Sequence, residues 1–132
     1  MAINTAGQTA TGGVSVTDQV RFKTGQIVFD ATAITAADQV VVFVGFTPKY
    51  VQWMNTTDRV SGEWREGMAA DSCLKTVAAG TRTLEVTGGN KGITICDSDG
   101  TANTSGRYFA VSQNATLALI VASKTCHWTA QA

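Results

Sequence analysis

Apolar and polar residues alternate along much of this chain with a period of two. Across residues 50–55, Val51 and Trp53 fall on one face and Gln52 on the other. Across residues 59–65, Val60, Gly62 and Trp64 alternate with Arg59, Ser61, Glu63 and Arg65. That spacing describes half-buried strands, the second with a charged outer face. The polar link Asn55-Thr56-Thr57-Asp58 makes the two a hairpin.

Similar short runs fill the rest of the chain. Residues 26–29 form a first apolar run, and residues 39–46 a continuous one rich in valine, whose branched Cβ favours strands. Pro48, the only proline, follows at once and marks the turn into the next strand. Residues 74–77 lead to a turn at Ala79-Gly80, after which Leu84 and Val86 flank a Glu85 read as exposed. Gly88-Gly89-Asn90 reads as a hairpin turn into Ile93 and Ile95, and Asp97-Ser98-Asp99-Gly100 opens a long polar loop reaching Gly106. Residues 108–111, 117–121 and 125–129 read as closing strands. Helix is confined to two weak candidates, residues 31–38 and 67–72, where threonines and glycine interrupt the helix formers.

Many short strands separated by turn residues predict an all-β, single-domain antiparallel sandwich or barrel, jelly-roll-like, over residues 25–132. Residues 1–24 differ: Gly7, Gly12 and Gly13 mix with threonine and serine, and large side chains are nearly absent. Such a segment buries too little apolar area to order itself. It is read as an extended N-terminal arm able to lie on a neighbouring subunit.

Composition narrows the function. The chain has 132 residues, the size of one domain. Its charged share is 15%, below the roughly 25% usual for soluble domains, which favours a surface partly covered by subunit contacts. Ten basic residues balance ten acidic ones, and no basic run occurs, so nucleic acid is not an expected partner. No stretch approaches the apolar length needed to cross a bilayer. The opening residues lack the charged start and apolar core of a signal peptide, so synthesis in the cytoplasm is expected. Cys73, Cys96 and Cys126 have no paired spacing and read as buried free thiols.

The residues that could carry chemistry each miss a requirement. His127 is the only histidine; with Cys126 and Trp128 facing inward it stands on the outer face beside Thr125 and Thr129, without an orienting acid or a nucleophile in view. Asp97-Ser98-Asp99-Gly100 opens like a calcium loop, but the sixth and twelfth places hold Ala102 and Tyr108 instead of glycine and glutamate. Glu63 and Glu66, with Asp58 and Asp71, alternate with Arg59 and Arg65 and read as cross-strand charge pairing, not as a glycosidase pair. The run from Gly88 to Gly92 lacks the following helix of a phosphate loop. Asn55, Asn103 and Asn114 begin chance glycosylation sequons. Trp53, Trp64 and Trp128 alternate with apolar neighbours and read as core, though exposed they would stack on sugars. No catalytic, metal or cofactor site is expected, and the chain is read as a non-enzyme.

The succession Gly45-Phe46-Thr47-Pro48-Lys49-Tyr50-Val51, Asn55-Thr56-Thr57-Asp58, Glu63-Trp64-Arg65-Glu66-Gly67-Met68, Lys75-Thr76-Val77-Ala78-Ala79-Gly80-Thr81-Arg82-Thr83 and Lys124-Thr125-Cys126-His127-Trp128 resembles small virion proteins of tailed bacteriophages, over roughly residues 45–130. The resemblance implies a capsid decoration or cement protein on the outer shell, with the major capsid protein and itself, as homodimer or homotrimer, for partners. A tail or neck ring component and a carbohydrate-binding β module are the alternatives.

Overall fold

The hairpin expected over residues 50–65 forms. Strands β3 (Tyr50–Asn55) and β4 (Val60–Arg65) pair antiparallel, with Val51 opposite Trp64 and Trp53 opposite Gly62. The Asn55 side chain closes the turn, its oxygen accepting the Asp58 backbone N–H at 3.1 Å, while Arg59 takes a positive φ of 59°. The computed structural model describes residues 21–86 and 91–132.

Four more strands extend this hairpin into one sheet: β1 (Phe22–Val28), β5 (Cys73–Thr76), β6 (Arg82–Glu85) and β9 (Thr125–Gln131), in the order β1-β9-β3-β4-β5-β6. A smaller sheet holds β2 (Gln39–Phe43), β7 (Ile93–Cys96) and β8 (Tyr108–Ser112), in the order β2-β8-β7. Every ladder is antiparallel. The sheets face each other as a sandwich, and aromatic rings bind the layers. The ring of Phe109 on the small sheet lies 6.2 Å from that of Trp53 and 5.3 Å from that of Trp128, both edge-on. Aromatic pairs favour this edge-to-face geometry. Val51, Ile93, Val111 and Cys126 complete the centre of the core.

Five sequence expectations are corrected. Residues 117–121 make no strand. The segment turns, with Ala118 at φ 59°, and drops Leu117, Leu119 and Ile120 into the core. Its carbonyls are capped by side chains instead of a ladder: Trp53 Nε1 donates to Leu119 O at 2.8 Å and Asn55 Nδ2 to Ala118 O at 3.2 Å. Buried backbone needs partners, and side chains supply them as well as a strand does. Second, the link from β6 to β7 is no hairpin, because the two strands belong to different sheets; its Gly88-Gly89-Asn90 lies outside the described residues.

Third, β6 has the opposite phase to the one expected. Leu84 and Val86 are exposed at 60% and 54%, and Glu85 turns inward on the face of Cys73, its cross-strand partner. An edge strand is held from one side only, so pairing register overrides its apolar pattern. Fourth, neither helix candidate is helical, and no helix occurs among the described residues. Fifth, the acids of residues 58–66 do not pair across strands with Arg59 and Arg65: Glu63 meets Arg65 along its own strand, 3.3 Å away. Of the segment read as an arm, residues 1–20 lie outside the described residues, while Phe22 already opens β1.

Both faces of the small sheet are covered over β7 and most of β8, while Phe43 at the end of β2 stays 57% exposed. Residues 97–107 fold over its outer side, with Asn103 N–H donating to Ile95 O at 2.9 Å and Ala102 bridging Cys96. The approach is so close that a Cβ on Gly106 would collide with the Cys96 carbonyl. Asp71, at φ 55°, pins the neighbouring corner. Its Oδ1 accepts from Gly92 N–H at 3.0 Å and from Ser112 Oγ at 2.8 Å, and its own N–H donates to Thr94 Oγ1 at 2.9 Å.

Candidate interaction surface

The outer face of the six-stranded sheet is the one broad surface of the sandwich that no described loop covers. The registers align its side chains in rows across the strands: Thr24, Thr129, Gln52, Glu63, Leu74 and Leu84 in one, Gln26, His127, Met54, Ser61, Thr76 and Arg82 in the next. The middle of the face is polar and carries little charge. Large apolar side chains stand at its two edge strands: Phe22 and Val28 on β1, 58% and 68% exposed, and Leu84 on β6 with Val86 just beyond it. Phe22 is not singled out in the sequence, and Val28 reads only as part of the apolar run 26–29, because neighbouring Lys23 and Ile27 give the strand no clear inward face until its partner is known.

Most charged groups on and beside this face are paired; Arg82 is in none of the ion pairs of the described residues. Arg65 holds Glu63 at 3.3 Å and lies over the Tyr50 ring, 4.8 Å from its centre. Burial and the Glu63 carboxylate push the Tyr50 phenol up, against the opposing pull of Arg65. Lys49 reaches Glu66 at 3.9 Å, and Lys124 reaches Asp58 at 3.5 Å. Asp71 lies apart from these acids, under the small sheet's outer side. The four acids therefore have separate partners and do not converge.

His127 is exposed on the outer face, as its place in the strand requires. Thr56 Oγ1 stands 3.1 Å from His127 Nδ1 and 3.0 Å from Thr125 O, within hydrogen-bond reach of both. Asp97 accepts from Asn103 Nδ2 at 2.9 Å and Asp99 from Thr101 N–H at 2.9 Å, which makes the loop a pair of side-chain-capped turns. The Thr101 bonds hold the Asp99 carboxyl below its ordinary range. Among the described residues no three His, Cys, Asp or Glu side chains gather where a metal could sit.

Trp53, Trp64 and Trp128 are buried, and Trp64 Nε1 donates to Ala69 O at 3.2 Å. None offers a ring face to a sugar. Asn55 is buried and Asn103 is held by Asp97, so two of the three sequon asparagines serve the fold. Cys73, Cys96 and Cys126 are buried and free; burial pushes their thiols up to about 12, 11 and 11, which keeps them protonated and unreactive. An open cleft of about 360 Å³ lies beside Trp64, Met68, Ile95 and Asn103. Its asparagine is already committed, since Asn103 also accepts from Ser105 N–H at 2.9 Å. No family model, curated protein or solved structure matches the chain.

Proposed function

We propose that the protein is a non-enzymatic structural component of a tailed-bacteriophage virion that decorates or cements the capsid, bound to the major capsid protein at the shell surface. The observation that carries this reading is the pair of apolar edges on one open sheet, Phe22 and Val28 at one end and Leu84 and Val86 at the other. Exposed apolar groups at separated edges suit a subunit held by neighbours on more than one side. The resemblance of residues 45–130 to phage virion proteins supplies the setting. The residues ahead of β1, read from the sequence as an arm, add attachment across subunit boundaries, and repeated weak contacts give avidity on a lattice.

The test is location and occupancy on native particles. The protein should co-purify with the major capsid protein and appear on the head in electron micrographs of labelled particles. Removing residues 2–20 should lower occupancy while the folded domain persists. Rings at the neck or tail, or full occupancy after the deletion, would each count against the reading.

A further inference from the structure

Strand β1 is an edge whose free side is written for a second copy of itself. Its pairing with β9 fixes which backbone groups are spent. Phe29 N–H donates to Lys124 O at 3.0 Å and Ala132 N–H to Arg21 O at 2.9 Å, at the two ends of a continuous register. Antiparallel ladders alternate bonded and non-bonded pairs. Lys23, Gly25 and Ile27 therefore give their backbone groups to β9, while Phe22, Thr24, Gln26 and Val28 turn theirs to the open edge. The same four side chains stand on the sheet's outer face, and none is charged. The strand's one charge, Lys23, points toward the small sheet, with Nζ 5.6 Å from the centre of the Phe43 ring. Charged groups and prolines are the usual guards of an edge, and this row has neither.

The geometry points to a symmetric dimer in which β1 pairs antiparallel with β1 of a second copy about a two-fold axis at Gly25. That register sets Phe22 opposite Val28 and Thr24 opposite Gln26, each pair made twice. It joins only the four outward-turned residues, so no bond of the β9 ladder is disturbed. The exposed apolar side chains at both ends of the strand cover each other across the seam, as an isologous interface requires. A one-strand seam falls at the small end of the roughly 1,200–2,000 Å² buried by stable interfaces, so the dimer forms reversibly at micromolar concentrations. This assignment goes beyond the virion reading and stands or falls without it.

Sedimentation equilibrium of the full chain over a wide concentration range tests it. The expected behaviour is monomer–dimer exchange. Gln26→Pro removes one open-edge donor and should weaken the dimer at least about tenfold. The double change Phe22→Lys with Val28→Lys should do the same, whereas Phe22→Lys with Val28→Glu should return to within about threefold of the parent, because opposite charges then face each other. Unchanged circular dichroism of each variant establishes that it folds. A chain that stays monomeric, assembly beyond the dimer, indifference to Gln26→Pro, or equal weakening by both charge pairs would overturn the proposal. So would a monomer that dimerises once residues 2–20 are removed, since those residues would then be the occupant of the edge.

Discussion

The two sheets of this sandwich solve the same burial problem differently. The six-stranded sheet packs one face on the core and leaves the other open, and its central strands alternate strictly: β3, β4 and β9 bury every second side chain. The three-stranded sheet is covered on both sides over β7 and most of β8, with Phe43 on β2 left exposed. Ile93, Ile95, Phe109 and Val111 face the core, while Thr94, Cys96, Ala110 and Ser112 on its other side are buried under residues 97–107 and the Asp71 corner. Its strands read Ile-Thr-Ile-Cys and Tyr-Phe-Ala-Val-Ser, without an alternation of large apolar and charged positions. Continuous burial erases the period-two signal, so such strands are recognised less easily and change is tolerated on neither side. A free surface for partners is left to the large sheet.

The largest effect that would sharpen this contrast is at the cover of the small sheet. Gly106→Ala drives a Cβ into the Cys96 carbonyl, and neither backbone can yield without lifting the loop. Urea unfolding should report a loss of about 3 kcal/mol or more. Asp71→Ala comes next. It strands Gly92 N–H and Ser112 Oγ beneath the loop and should cost about 1.5–3 kcal/mol, with faster amide exchange at Gly92. The smallest effect belongs to the open face. Gln52→Lys or His127→Ala should change stability by less than about 0.5 kcal/mol. If either cost as much as Asp71→Ala, the large sheet would be covered in solution as well, and the contrast between the sheets would fail.

Some misread elements share one cause. The run 117–121 carries Leu117, Leu119 and Ile120, as apolar as any strand, yet it is a loop because Trp53 and Asn55 satisfy its carbonyls from elsewhere. A run of apolar residues specifies burial; only partners decide whether its backbone is in a ladder. Leu84 and Glu85 show the converse. Local pattern placed the leucine inward, but the register with β5 puts Glu85 beside Cys73, where Lys91 meets it at 3.9 Å. The candidate surface was legible only in part. His127 on an outer face followed from its inward neighbours Cys126 and Trp128, whereas the apolar edges required knowing that β1 and β6 end the sheet.

Local chemistry alone determined that this chain is a β protein: alternation in β3, β4 and β9, valine in β2, and turn residues between them leave little choice of secondary structure. It also placed the tryptophans and cysteines inside, because large apolar groups that alternate with polar ones have one dry side available. Tertiary structure decided what sequence spacing cannot encode. Strand order, the crossing from β6 to β7, the loop that seals the small sheet and the two edges left open all depend on contacts between residues far apart in the chain. Asp71 serves as the measure of that division: in sequence it is one acid among several near an arginine-rich strand, and in the fold it is the clamp joining Gly92, Thr94 and Ser112.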